Sequence, residues 1–322
     1  MMLIVQKANS LLDFATIRAI HAPMTITHLI PFPQIDPILF SFEIFGFTLA
    51  IRWYALAYIA AFLLATAWIN HLIKNTDLWK DSAPPMTKLQ VEDMLTWMII
   101  GTIAGGRFGY VVFYNFGFFL ENPANIIRVW EGGLSFHGGF LGVIIAGLIF
   151  CWKNKLNPWS VGDTLAASVT IGLFLGRLAN FINAELWGRP TDLPWAMEFP
   201  GADCPIWWLS DTCGRHPSQL YEAALEGIIL FAIITFLIFK RGWLKVPGQI
   251  IGVFFIGYGT ARTIVEGFRQ GDAQFTGPAN PWGHVIRFGQ DVDSLGLSMG
   301  QILSIPMIVV GFAILIFVRW RT

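Results

Sequence analysis

Charge is scarce in this chain of 322 residues: Asp, Glu, Lys and Arg make up 13% of it, against about a quarter in an ordinary soluble domain. Acidic and basic residues balance at 21 each, so no net field points to a polyanion such as nucleic acid. Cysteine is rarer still, with three residues, too few for a disulfide scaffold. No internal repeat, low-complexity tract or long polar linker divides the chain, which argues for one domain. Short catalytic motifs are missing as well: there is no HExxH, no Cys or His cluster at metal-ligand spacing, no phosphate-binding GxxxxGK loop and no GxSxG elbow. Metalloprotease, ATPase and serine-esterase readings lose their support, and neither a metal nor a cofactor is expected.

What the chain has instead is apolar surface. Hydrophobic residues make up 55%, with 28 Phe and 14 Trp. Seven apolar segments, at 53–73, 94–114, 135–152, 164–182, 223–239, 248–268 and 299–318, approach the roughly 20 helical residues that cross a bilayer. The expected fold is an all-α integral membrane protein with seven transmembrane helices. Residues 38–50 are too short to span, and Pro31, Pro33 and Pro37 break any helix before them. Lys74, Lys80, Lys88, Lys153, Lys155, Lys240 and Lys245 fall in one set of loops, while the opposite loops hold only arginines among their basic residues. By the positive-inside rule the lysine side is cytoplasmic, which places the amino end outside, the carboxyl end inside and the long loops in an outer head. Residues 1–30 form a variable extension ahead of a seven-span domain at 31–322. Lys7, Asn9, Asp13 and Arg18 interrupt any signal-peptide core, leaving either a start at Met24 or an amphipathic surface helix.

Polar residues concentrate where the spans meet the outer side. The fourth span ends in Gly176, Arg177, Leu178, Ala179, Asn180, Phe181, Ile182, Asn183, Ala184, Glu185, Leu186, Trp187 and Gly188. Ionisable groups at membrane depth are expensive and mark functional sites by default. In the sixth span Tyr258, Arg262, Glu266 and Arg269 are spaced four, four and three apart, on one helix face, so Arg262 and Glu266 can pair across a turn. Such a pair is either a structural ion pair or a rigid fork offered to phosphate. Around His137, glycines at 132, 133, 138 and 139 suit close helix packing with a hydrogen-bonded His, and a functional reading gains weight because His137 precedes a span on the same outer side as Arg177. Ser218 reads as a cap for the fifth span, with Tyr221 and Glu226 as candidates for a cavity wall. Arg107 and Arg52 are further buried or interfacial arginines, Arg52 best read as snorkelling. An oxidising outer compartment would permit a bridge between Cys204 and Cys213.

The segment at 176–188 resembles the signature of the prolipoprotein diacylglyceryl transferases: Gly, Arg, a small residue before Asn-Phe, a second Asn, then Glu and Gly. Blocks at 132–142, 216–222 and 257–277 also resemble that family, in the same order; residues 282–297 look like an insertion. The resemblance implies a multi-pass protein of the bacterial plasma (inner) membrane. It implies transfer of the diacylglyceryl group of phosphatidylglycerol to the lipobox cysteine that follows a prolipoprotein signal peptide. It implies catalytic roles for His137, Arg262 and Glu266, and substrate binding by Arg177, Asn180, Gly188, Tyr54, Glu185 and Tyr258. A lipid or anion transporter, or a lipid receptor, is the alternative from another class. Transporters usually show repeat symmetry or paired broken helices, and this sequence shows neither.

Overall fold

The computed structural model describes residues 29–44, 47–204, 213–277, 279–289, 291 and 294–321. The expectations for residues 1–28, the start at Met24 among them, lie outside the described residues. Among the described residues the chain is mostly helical, with seven long helices: α1 (Trp53–Lys74), α2 (Lys88–Phe113), α3 (Phe136–Asn154), α4 (Pro158–Ile182), α5 (Ser218–Arg241), α6 (Gln249–Glu266) and α7 (Met299–Arg321). Six of them are long and apolar enough to cross a membrane; α6 is the exception. Its 18 residues include Gln249, Thr260, Thr263, Arg262 and Glu266, which dilute the apolar content of the expected sixth span.

Caps move several helix starts outward from the apolar runs. Thr87 and Gln90 form a capping box that begins α2 at Lys88, six residues before the predicted segment at 94. The Asn157 side chain accepts from the Trp159 N–H, and Pro158 fills the first turn, so α4 starts at 158 rather than 164. Within α5, residues Ala223–Ile229 adopt a π-helical turn, a local widening often found at functional sites.

Beyond an all-α fold, the structure contains three two-stranded sheets among the described residues. Strands β2 (Ile38–Ile44) and β3 (Phe47–Arg52) pair antiparallel and lead straight into α1, which accounts for the apolar segment too short to span. β1 (Ile30–Pro31) runs parallel to β4 (Met197–Glu198), and β5 (His284–Arg287) pairs with β6 (Gly296–Ser298) inside the suspected insertion. Isolated bridges join Gly188 to Arg269 and Pro190 to Arg215, lacing the loops after α4 and α6 into one head.

Helix α3 packs chiefly along α2, α7 along α6, and α1 along α4. Between α2 and α3, Gly101, Gly105 and Gly109 face Gly138 and Gly142 so closely that a Cβ on Gly142 would collide with the Gly101 carbonyl. The apolar core, with Ile69, Leu72, Phe150, Ile234, Ile238 and Ile250 fully buried, gathers where α1, α3 and α5 end and α6 begins. Large apolar side chains on the outer faces of the helices remain exposed, Leu63, Phe108 and Phe312 among them, as a bilayer solvent requires.

Candidate active site

The segment at 176–188 folds back on itself. Helix α4 ends at Ile182, and Ala184 and Leu186 take left-handed φ values of 51° and 58° that reverse the chain. The reversal returns Glu185 to Asn180: its N–H donates to the Asn180 carbonyl at 3.0 Å, and Asn180 Nδ2 donates to Glu185 Oε1 at 2.7 Å. Asn180 Oδ1 in turn lies 3.5 Å from Arg177 Nη1. Gly188 then meets the head, its N–H donating to the His216 carbonyl at 2.8 Å. A Cβ there would stand 2.5 Å from the Phe268 carbonyl oxygen and 2.6 Å from His216 Cβ, so only glycine admits this approach.

The cluster centres on Glu222 of α5, whose side chain is 1% exposed. Arg177 Nε of α4 lies 2.6 Å from Glu222 Oε2, an ion-pair contact off the hydrogen-bond axis. Arg262 Nη1 of α6 donates to Glu222 Oε1 at 2.8 Å, and Arg269 Nε lies 3.1 Å from the same oxygen. Arg262 Nη2 reaches Glu266 Oε2 at 2.9 Å, and Arg269 Nη1 donates to that oxygen at 3.3 Å. One turn beyond Glu222, in the π-helical turn, the fully buried Glu226 stands 3.7 Å from Arg177 Nη2. Three arginines thus balance three glutamates. The exposure is uneven: the guanidinium side chains keep 13–20% of their surface, while those of Glu222 and Glu226 keep 1% and 0%. The surface that the cluster leaves uncovered is therefore mostly cationic.

The expected site residues separate into groups. Arg177, Arg262 and Glu266 meet in the cluster, and the pairing of Arg262 with Glu266 is as read from their spacing. Tyr258 lies within electrostatic reach of Glu226 and Arg262, and Tyr54 of Glu185 and Arg177. The Tyr54 hydroxyl shares a hydrogen bond with that of Tyr58 at 3.1 Å. His137 is the second residue of α3, exposed, just after the Ser135 cap that accepts from the Gly138 N–H. Arg107 is satisfied by protein alone, donating to the carbonyls of Asn125, Ile126, Gly132 and Gly133 at 2.6–3.1 Å. It shapes the loop that leads to His137. Ser218 does not cap α5; its hydroxyl donates to the Leu186 carbonyl at 3.1 Å, tying α5 to the reversed segment.

Glu222 and Arg269 carry more of the site than the sequence indicated. Glu222 lies one turn into its helix, just before the π-helical turn, a position that does not by itself mark an acid as part of a site. Only the convergence of α4, α5 and α6 distinguishes it.

The head holds the cluster's outer rim. Arg189 Nε donates to the Arg269 carbonyl at 2.7 Å while its guanidinium stacks over Trp282. Arg215 Nη1 donates to the Gly188 carbonyl at 3.0 Å and to Gln270 Oε1 at 3.1 Å. Burial lowers the pKa of both arginines. His216, sharing a hydrogen bond with the Tyr221 hydroxyl at 3.2 Å, has its pKa lowered by burial and then by the nearby Arg189 charge. Cys204 and Cys213 are joined by a disulfide. Among the described residues no group of three or more His, Cys, Asp and Glu side chains is placed to hold a metal.

Fold and site together define a multi-pass helical membrane protein with an arginine–carboxylate cluster inside its bundle. A family model described as prolipoprotein diacylglyceryl transferase matches residues 37–317. The phosphatidylglycerol–prolipoprotein diacylglyceryl transferase of Roseobacter denitrificans is 53% identical over 285 residues, covering 88% of this chain and 95% of that protein. The protein of that name in Cereibacter sphaeroides is 53% identical over 293 residues, with 90% and 98% covered. The one in Rhizobium meliloti is 44% identical over 283 residues, with 88% and 92% covered. The chain belongs to the prolipoprotein diacylglyceryl transferase family.

Proposed function

We propose that this protein transfers the diacylglyceryl group of phosphatidylglycerol to the lipobox cysteine thiol of a prolipoprotein, forming a thioether and releasing glycerol phosphate. The observation that carries the reading is the cationic face of the cluster: Arg177 and Arg262 keep exposed surface while the carboxylates that hold them are covered. A guanidinium offers a planar pair of donors, the geometry that a phosphodiester accepts.

The reaction forms a bond between sulfur and glyceryl C3 as the C3–O bond breaks, and the electron pair leaves on the phosphate oxygen. Arg177 and Arg262 hold that phosphate, where preorganised donors stabilise the developing charge. Glu222 and Glu266 fix the two forks, and Arg269 shares their carboxylates. A thiol with a pKa of about 8.5 needs a base or a cationic surrounding to react at neutral pH. His137 is assigned as that base; the proton it takes passes to the leaving phosphate, which closes the balance. Tyr54 and Tyr258 line the headgroup position, Glu185 orients Asn180, and Gly188 lets the head close over the cluster. Neither metal nor cofactor enters these steps.

The protein sits in the bacterial inner membrane with its lysine-bearing loops in the cytoplasm, its head outside and α6 as a seventh crossing. Its polypeptide partner presents the lipobox cysteine after a signal peptide. Incubating the purified protein with phosphatidylglycerol and a lipobox peptide tests the function. A peptide that gains one diacylglyceryl group is expected; an unmodified peptide in a folded, lipid-supplied sample refutes the reading.

A further inference from the structure

The two arginines of the site stand on different helices, so something must set the height of one helix against the other. Asp163 lies near the far end of α4, in its second turn, and is fully buried. Its carboxylate reaches another helix: Oδ2 accepts from the Gly248 N–H at 2.6 Å and Oδ1 from the Ile251 N–H at 2.8 Å. These donors belong to the start of α6, where backbone N–H groups have no partner within the helix. Gly248 precedes α6 with φ 101° and has no side chain to cap it. Asp163 supplies the missing cap from α4. The joint is tight, since a Cβ on Gly162 would stand 2.5 Å from Ile251 Cδ1 and one on Gly248 3.1 Å from Trp159 Cε3.

From this joint both helices run toward the cluster. Asp163 to Arg177 is 14 positions (177 − 163), and Gly248 to Arg262 is also 14 (262 − 248). Each arm is therefore about 21 Å long and ends within ~40° of the side it started on, at 1.5 Å and 100° per residue. The equal arms end on one carboxylate, Arg177 and Arg262 meeting opposite oxygens of Glu222 at 2.6 and 2.8 Å.

We propose that Asp163 is a positioning residue, a register pin between α4 and α6 that holds Arg177 and Arg262 level with each other. The inference rests on the reading that these arginines hold the lipid phosphate. A slip of one residue at the pin displaces Arg262 by about 1.5 Å and turns it by ~100°. Misplacement by 1 Å is worth about 10²-fold in rate.

The test compares full-length wild type, Asp163→Ala and Asp163→Asn in phosphatidylglycerol-containing bilayers with a lipobox peptide. kcat and the KM for lipid are measured per mole of folded, inserted protein. Asp163→Ala should lose about 10²-fold in kcat/KM through both constants. Asp163→Asn keeps one acceptor oxygen and should fall between. If Asp163→Ala does not insert, Asp163→Asn decides. Kinetic constants per folded molecule indistinguishable from wild type would overturn the pin. Failure of Asp163→Asn to insert would also overturn it, marking Asp163 as a residue of folding. Absence of product with the unaltered chain would instead refute the transferase reading, and this inference with it.

Discussion

Arg262 holds two carboxylates with one fork, and replacing it by Lys tests whether that geometry matters. Its Nη1 donates to Glu222 Oε1 at 2.8 Å while Nη2 reaches Glu266 Oε2 at 2.9 Å. A lysine ammonium is a single centre on a flexible stem and cannot span both partners while also facing a phosphate. Glu222 would not be left bare, because Arg177 and Arg269 also contact it at 2.6 and 3.1 Å. Folding should therefore survive, and the loss should fall on the substrate. A hydrogen bond to a charged group contributes about 1.5–3 kcal/mol, so losing one bidentate arm predicts a fall in kcat/KM of about 10- to 150-fold. The assay is thioether formation on a lipobox peptide, followed by mass spectrometry, with expression and membrane insertion checked. Arg177→Lys should behave alike. Near-normal turnover in both Lys variants would show that charge alone suffices and would refute the bidentate cradle.

His137→Gln should lower turnover by about 10²–10⁴-fold with lipid binding intact, the deficit shrinking as pH nears the thiol pKa; normal turnover at neutral pH would leave His137 a packing role. Gly188→Ala forces a Cβ to within 2.5 Å of the Phe268 carbonyl oxygen. It should destabilise by about 1–3 kcal/mol, and an unchanged Tm would contradict the close approach. The pKa of His216 is lowered, so its contribution to stability is complete above the unfolded value of about 6.5 and is lost as pH falls toward the folded value. Between about pH 7.5 and 5.5 the Tm of wild type should drop more than that of His216→Gln, and parallel curves would contradict this. For topology, a cysteine at Asp192 should react with an impermeant thiol reagent in intact cells and one at Lys153 should not; the reverse pattern would invert the protein.

The apolar runs determined most of the fold directly. A stretch such as 299–318 has one stable disposition in a bilayer, because a lipid-solvated backbone must satisfy its hydrogen bonds within the helix. Helix starts were less legible where polar caps preceded the runs, as at Thr87 and Asn157. The paired strands at 38–44 and 47–52 were legible only as something other than a span, since strand pairing depends on contacts between two segments of the chain. The motif at 176–188 and the four-residue spacing of Arg262 and Glu266 placed two arginines of the site, because periodicity within one helix is a property of sequence. Glu222, Asp163 and the reach of Arg269 to Glu222 were not legible in the same way. Glu222 meets Arg262 40 positions away and Asp163 meets Ile251 88 positions away; the contact of Arg269 with Glu266 shows in its spacing, but its contact with Glu222 spans 47 positions (269 − 222). An acid near a span's start looks the same whether it faces water, lipid, an arginine or another helix's N–H groups. Tertiary packing decided which, by bringing α4, α5 and α6 to one level and covering the carboxylates while leaving the guanidiniums partly exposed. Removing such charges from water is tolerable only where opposite charges and donors already wait, and that arrangement exists only in three dimensions.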